Sequence, residues 1–521
     1  MSKQNNLALI LSFVITSGLC GAGVWLIGKA VPNLIPGLGK PSQTTNNPNQ
    51  SQKITVLGDT FSGYSTFRNS AFQAALKQDA IGVQYADEFD QAKRADKLNR
   101  GEADVIVTTL DQFLKQKPQG KIVGLIDRTV GADAVVLNTR KYPNLKSLID
   151  LQQLVQQRRN QGEQLGITYA GDTPSEYLAL VLETKFEAFK LAGFQIEQVA
   201  DASEAWKLLQ NPNRNIAIAI MWEPYVTQAR QQGYTVVLSS ADAPGAVVDV
   251  IVASNRLIQS NPGAIANFLE AYYRRIDVNV RDASQLQTQI AQDGNLAPQD
   301  AAAVIRGIEF FTAAEAKSWL TNGTLDKRIG STAAVLTLAG KLDQVPANFR
   351  DLYTAEFVAK AASNTQTLID LVRADNPELA DRLAGKTKAI APTNSTKAIS
   401  VAKAPDIGNL QVRGEIKFGT GSSALTGQSI QTLKQLAQEI AEFNPQTVAV
   451  RVIGHTSRTG SAALNQALSQ SRAQVVVNYL RQNGVKNAIA AAGMGSSQPL
   501  AGVSPNDIRN QRTEIRLVRV R

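Results

Sequence analysis

The sequence predicts an α/β protein carried behind an N-terminal transmembrane helix and closed by a separate C-terminal α/β unit. Three observations lead there. From Lys53 to about Asp351, short apolar strands repeatedly end in turns that open helices. Leu7–Ile27 holds no charged residue, and Val448–Ile453 reads as a strand that turns through Gly454-His455-Thr456-Ser457 into a helix near Ala462. Repeated strand-to-helix junctions predict a mostly parallel sheet with its loops gathered along one rim. At 521 residues the chain is long enough for three or four units.

The first element is the Leu7–Ile27 run, which as a helix spans roughly 31 Å, enough to cross a bilayer core. A cleaved signal peptide competes with an uncleaved anchor. The run is longer than an ordinary signal core, no A-x-A site follows it, and Leu19 makes a poor lipobox before Cys20, so the anchor is favoured. Residues 1–40 are therefore taken as anchor and flank. Residues 41–52 (PSQTTNNPNQSQ) carry no charge and no large apolar residue, and read as a linker with a reach on the order of 20 Å.

The α/β segment follows at 53–351. Lys53–Leu57 is a strand ended by Gly58-Asp59, and the Gly63-Tyr64-Ser65-Thr66 turn opens a helix. Val105–Val107 leads into Thr108-Thr109-Leu110-Asp111 and a second helix. Leu165–Tyr169 leads into Gly171–Glu176, where Thr173 is placed to cap a helix that has Pro174 at its first position. Ile216–Met221 ends at Trp222-Glu223-Pro224-Tyr225. Short helices near Ala355–Ala362 and Thr365–Ala374 and a Lys/Pro/Ser/Thr-rich linker fill 352–409, leaving 410–521 as the last domain.

In that last domain, GHT, then LSQSRA eleven residues on from Ser457, and NQRTEI at Asn510–Ile515 together resemble the OmpA-like peptidoglycan-binding domain. The resemblance implies an α/β sandwich and a site at Ser457, Asn465 and Arg472. In that family an Asp directly after GHT and the Arg of the helix clamp the two charged ends of a diaminopimelate side chain. Here the Arg is Arg472, but the Asp position holds Ser457, followed by Arg458. On the helix, Leu464, Leu468, Val475 or Val476, and Leu480 recur at three- and four-residue spacing and read as the core-facing stripe.

The segments GEADVIVTTLD (Gly101–Asp111), LIDRTVGADAVVL (Leu125–Leu137) and AIMWEPYV (Ala219–Val226) resemble the two-lobed periplasmic solute-binding proteins of nitrate, sulfonate and taurine transporters. That resemblance implies a second lobe over about 139–248, with the chain crossing near Asn138 and returning near Val247–Asn255. It also implies a ligand in the cleft between lobes, and an ABC permease as partner. Candidate ligand contacts are Tyr64, Ser65, Thr108, Asp111, Asp133, Ser175, Trp222 and Glu223.

Tyr64 and Trp222 read as stacking faces or as lobe-edge packing. Thr108, Thr109 and Ser175 read as helix caps before ligands. Asp127 and Asp133 flank Thr129-Val130-Gly131 and read as hinge braces or ligand contacts. The loops hold Asp59, Asp111, Asp127, Asp133 and Glu223 with no Lys or Arg in the turns themselves. That balance favours a small polar solute with amine or hydroxyl donors over nitrate or sulfonate.

The rest of the composition excludes chemistry. One Cys and one His rule out a Cys/His metal cluster and an intrachain disulfide, and leave no Ser-His or Cys-His pair with a supporting motif. Thiamine-pyrimidine synthases, from the same superfamily, need His and Cys in this domain, which 53–351 lacks. No cofactor and no enzyme activity are expected. The net charge of +10 sits mostly after Asp406, where thirteen Lys/Arg face six Asp/Glu. No nucleic-acid motif accompanies it, and an anionic wall polymer is the more natural partner. The chain therefore reads as a single-pass inner-membrane protein with its domains in the periplasm, binding a solute and reaching toward peptidoglycan. The alternative is a linker between membrane and wall that binds no ligand.

Overall fold

The computed structural model describes residues 52–386, 400–419 and 421–520. The Leu7–Ile27 run, the first linker up to residue 51 and residues 387–399 of the second lie outside them. Among the described residues no helix is long and apolar enough to cross a membrane.

The first lobe opens with β1 (Gln52–Gly58), a 3-10 turn (Ser62–Tyr64), α1 (Ser65–Arg68), α2 (Ser70–Gln78), β2 (Ile81–Asp87), α3 (Gln91–Arg100), β3 (Val105–Thr109), α4 (Leu110–Gln116) and β4 (Gly120–Thr129). The second lobe runs through β5 (Asp133–Leu137), α5 (Leu148–Asn160), β6 (Gly166–Ala170), α6 (Pro174–Lys185), β7 (Gln195–Val199), α7 (Ala202–Gln210), β8 (Ile216–Trp222), α8 (Tyr225–Gln231) and β9 (Thr235–Ser239). The chain then returns as β10 (Val248–Ser254), followed by α9 (Asn255–Ser260), α10 (Pro262–Arg281), α11 (Ala283–Asp293), α12 (Pro298–Arg306), β11 (Ile308–Phe310), α13 (Ala313–Thr321) and α14 (Thr324–Leu338). Asn69, Asp90, Ser147, Thr173 and Asp201 cap α2, α3, α5, α6 and α7 by accepting from first-turn N–H groups.

The two lobes have separate sheets, ordered β11-β4-β10-β3-β1-β2 and β7-β6-β8-β5-β9. Both are mixed rather than mostly parallel. β1 is parallel to β2 and β3, but β10 enters antiparallel between β3 and β4; likewise β5 lies antiparallel between β8 and β9. The reason is the double passage: a strand that leaves one lobe and one that comes back cannot both follow the parallel winding. The first crossing falls at Val130–Ala132, where Gly131 takes a φ of +132°, and not near Asn138. β5 already belongs to the second sheet. The two crossings lie side by side, with Gly131 N–H donating to Ser240 Oγ (2.8 Å) and Ser240 N–H to the Asp133 carbonyl (2.9 Å).

Residues 359–372 form one helix, α15 (Ala359–Val372), in place of the two short helices expected around them, followed by α16 (Pro377–Leu383). α15 packs on α10 and α13, and Thr365 Oγ1 donates to Asp277 Oδ2 at 2.7 Å. The last domain comprises β12 (Asp406–Asn409), α17 (Gly427–Ile440), β13 (Val448–Gly454), α18 (Ala462–Gln482), β14 (Ile489–Gly493) and β15 (Thr513–Arg519), with sheet order β12-β15-β13-β14.

This domain docks on the second lobe. Gln411 N–H donates to the Lys185 carbonyl (2.8 Å), Glu187 N–H to the Asn409 carbonyl (3.1 Å), and Phe186 pairs with Leu410 in an antiparallel bridge. Arg519 donates to Asp242 Oδ2 (2.6 Å) and to the Val236 and Val237 carbonyls. Glu442 accepts from Ser331 Oγ on α14 (2.9 Å) and lies 3.4 Å from Lys185 Nζ on α6. Arg519→Ala should lower the stability of the full chain by about 1–3 kcal/mol, since buried Asp242 loses a charged partner but keeps Ser239 N–H. Urea unfolding of the Arg519→Ala, Asp242→Ala and double variants reads the coupling; additive losses would show that the pair does not hold the domains together.

Candidate functional site

Two sites emerge, one at the floor between the lobes and one at the β13–α18 corner. At the floor, a bulge in the β4/β10 ladder between the Val248–Arg128 and Val250–Leu125 pairs resets the alternation of side chains. Asp127 and Asp249 thereby lie near each other in the buried floor, and neither Asp127 oxygen has a donor from the protein. Tyr64 donates to Asp249 Oδ1 at 2.5 Å. Burial, then the charge of Asp133, pushes Asp127 well above the usual carboxylate range, and burial, then the charge of Asp127, does the same to Asp249. Asp133, at the start of β5, is raised to about 7 by burial, with Asp111 and Glu223 adding repulsion. Asp111 is also raised by burial, and Gln112 Nε2 donates to its Oδ2 at 2.9 Å.

The structure brings Tyr64, Asp111 and Asp133 into this one acidic cluster, and Trp222 faces Asp133 across the β5/β8 ladder. Three of the other candidates are engaged elsewhere. Ser65 Oγ accepts from Gln289 Nε2 (2.9 Å), and Thr108 Oγ1 donates to Gln91 (2.9 Å). Glu223 accepts from both Thr227 N–H and Thr227 Oγ1 (2.9 Å each), so it ties down the first turn of α8. Neither Thr108 nor Ser175 is a helix cap: Thr173 caps α6, and the Ser175 hydroxyl is buried without a partner.

Asp249 and Tyr272 were not among the sequence candidates. An Asp inside the apolar run Val247–Ala253 was the available signal, because an acid there must be buried in the sheet.

α14 packs against both α4 of the first lobe and α6 of the second. Lys115 on α4 pairs with Asp172 and lies 3.6 Å from Glu176 across the lobes, and Lys341 donates to Glu176 at 2.9 Å.

At the second site, Gly454 and Gly493 end β13 and β14 beneath α18. A Cβ on either would lie 2.3 Å from the Ser469 carbonyl oxygen or 2.5 Å from Gln470 N, so only glycine permits the approach. That contact also turns the helix. Its inner face is Asn465, Ser469, Arg472, Ala473, Val476 and Leu480, while Leu464 is 65% exposed, so the expected stripe is correct only in its second half. Glycine backbone, which a small polar residue fits best, replaces apolar side chains as the packing partner at the N-terminal end.

Ser457 and Thr459 hydroxyls bond each other at 2.7 Å, Gln511 donates to Ser457 Oγ at 3.2 Å, and Asn465 Nδ2 donates to the Thr459 carbonyl at 3.1 Å. Arg472 donates to the Ser422 and Gly419 carbonyls (2.9 and 3.3 Å) and lies over the Phe418 ring. Burial lowers its pKa. Ser457, Asn465 and Arg472 are all buried.

Residues 417–513 match the family model described as the OmpA family. Outer membrane protein A of Shimwellia blattae is 37% identical over 101 residues, which cover 19% of this chain and 42% of that protein. The chain thus spans less than half the length of that relative. The OmpA-like domain of FopA1 from Francisella tularensis is similar at 25% identity over 22% of this chain and 73% of that one, with a TM-score of 0.18. The periplasmic aliphatic sulphonate binding protein SsuA from Escherichia coli is similar at 13% identity over 58% of this chain and 92% of that one, with a TM-score of 0.44. The C-terminal domain belongs to the OmpA family.

The pKa of Asp133 sets the sign of a pH effect. The folded state keeps this proton up to about pH 7, whereas an unfolded Asp loses it near 3.9. Its contribution to stability is therefore greatest below about pH 4 and is lost as pH rises toward 7. Asp133→Asn should stabilise the protein by about 1–3 kcal/mol at pH 8, with the gain gone near pH 4. Chemical denaturation at both pH values measures it; an equal effect at the two would assign Asp133 an ordinary pKa.

Proposed function

We propose that this chain is an envelope solute-binding protein. The two-lobed domain takes a small polar solute between its lobes, and the OmpA-family domain holds the protein at the peptidoglycan. The observation that carries this reading is the pair of adjacent crossings joining two mixed sheets. Two rigid lobes on a two-strand hinge can close over a ligand, and the polar groups gather at the hinge floor. In this reading the N-terminal run anchors the protein in the inner membrane with its domains in the periplasm, and an ABC permease receives the solute. Tyr64, Asp111, Asp133 and Trp222 are the ligand contacts; Ser457, Asn465 and Arg472 face the wall.

A linker without a solute is the second reading. It is favoured by the Lys115–Asp172 and Lys341–Glu176 pairs, which close the lobes through the protein's own charges. Thermal unfolding of the full chain against a metabolite collection separates the two, because a ligand for the folded state raises the midpoint by mass action. A collection without a single stabilising compound would favour the linker.

At the wall site, Ser457 supplies a hydroxyl where the resembled family has a carboxylate for an ammonium group. Ser457→Asp should tighten retention on purified peptidoglycan by about ten-fold or more, the worth of one charge-assisted hydrogen bond. Arg472→Ala should weaken retention. A pull-down comparing wild type with both variants tests this, and tight salt-resistant binding by wild type that Ser457→Asp leaves unchanged would place the wall contact elsewhere.

A further inference from the structure

The buried junction between the lobes has an unmatched set of hydrogen-bonding atoms. Both Asp127 oxygens, Asp249 Oδ2 and the Tyr272 hydroxyl meet no partner in the protein, and none of the three residues is more than 1% exposed. Tyr272 is held rigidly: its ring stacks on Phe67 with centroids 4.9 Å apart, and Phe67 stacks in turn on Phe268. Above Asp127 lies Gly63, where a Cβ would come within 2.3 Å of Asp127 Oδ2, so the Ser62–Tyr64 turn bears directly on that carboxyl. Asp59 and Asp133 add negative potential around Asp249.

The cations nearest the floor are already engaged. Arg94 donates to Asp59 (2.8 Å) and to the Glu88 and Val107 carbonyls. Arg128 is bound between Glu309 (2.9 Å) and Glu315 (2.7 Å). Carboxyls buried without a counter-charge are costly unless they take up a proton or a cation.

We propose that Asp127, Asp249 and Tyr272 receive the ammonium group of a small amine-bearing solute at the floor of the cleft, an inference that rests on the solute-binding reading above. An ammonium group has three N–H donors and one positive charge. The floor offers acceptors from three residues and an excess of negative charge. A carboxylate or sulfonate would be repelled there, and a neutral hydroxyl would leave the charge uncompensated. The amine displaces the protons that burial otherwise keeps on Asp127 and Asp249, so binding strengthens as pH rises.

The test is thermal unfolding of the full-length protein in phosphate buffer at pH 5 and pH 8. The amine probes are ethanolamine and putrescine; the controls are ethylene glycol, sodium acetate and ethanesulfonate. The amines should raise the midpoint, more at pH 8 than at pH 5, and the controls should not. Asp249→Asn keeps an acceptor for Tyr64, and Asp127→Asn removes a buried charge. Each should weaken the amine response at least about ten-fold in apparent Kd, the worth of a charged hydrogen bond. Each ligand-free variant should melt at the wild-type temperature or above it.

Equal shifts with the controls, amine responses undiminished in both variants, or no amine response at either pH would overturn the inference. The metabolite collection run alongside separates that failure from a wider one. Stabilising compounds that lack an amine would leave the solute-binding reading standing without this assignment. No stabilising compound at all would remove both.

Discussion

The architecture depends on β10 entering antiparallel between β3 and β4. A strand returning from the second lobe must find a place in a sheet already begun, and the slot between β3 and β4 puts the two crossings side by side. The ladder with β4 is bulged to accommodate it. At Leu125 the Tyr273 hydroxyl accepts from the N–H (3.0 Å) and donates to the carbonyl (2.9 Å). Gly124 leaves room for that hydroxyl. The same bulge brings Asp127 and Asp249 together, so the hinge and the acidic floor are two results of one strand insertion.

The OmpA-family domain is packed against this hinge and does not hang free of it. Arg519 and Asn444 bind the Ala241–Asp242 segment of the returning crossing, through Asp242 Oδ2 (2.6 Å) and the Ala241 carbonyl (3.0 Å). Glu442 meanwhile touches α6 of one lobe and α14, which is carried on α4 and α13 of the other. Any opening that separates α6 from α14 must break one of the two Glu442 contacts. Linkage makes that relation reciprocal: whatever shifts the C-terminal domain on its seat alters the cost of opening, and opening alters the seat.

Much of this was legible from residue order, and the failures have identifiable causes. Four strand-to-helix junctions of the lobes were legible from their strand ends and turns, and the one at Thr173 also from its helix cap. The OmpA domain was recognisable because its glycines, His455 and Arg472 occupy fixed positions around one close backbone approach. The antiparallel entry of β10 was not legible, since sequence periodicity identifies a strand but not its direction or neighbours. The floor was only half visible for the same reason: Asp249 and Tyr272 are distant in sequence from Asp127 and meet it through the sheet insertion. The helical stripe of α18 misled where glycine backbone, and not apolar side chains, sets the packing.

The distribution of charge is the last constraint. The chain carries ten more basic than acidic side chains. Yet Arg94, Arg128, Arg519 and Lys115 are each matched to acids outside the Asp127–Asp249 pair. A well-placed Arg or Lys at Tyr272 would neutralise the pair, and a buried acid in another part of the protein has such a partner, as Glu176 does. Leaving the floor acidic lowers the stability of the folded chain at neutral pH, because these groups are ionised more readily in the unfolded state. Stability forgone at a hinge, where the two lobes meet, is the expected mark of a place kept for something the chain does not itself supply.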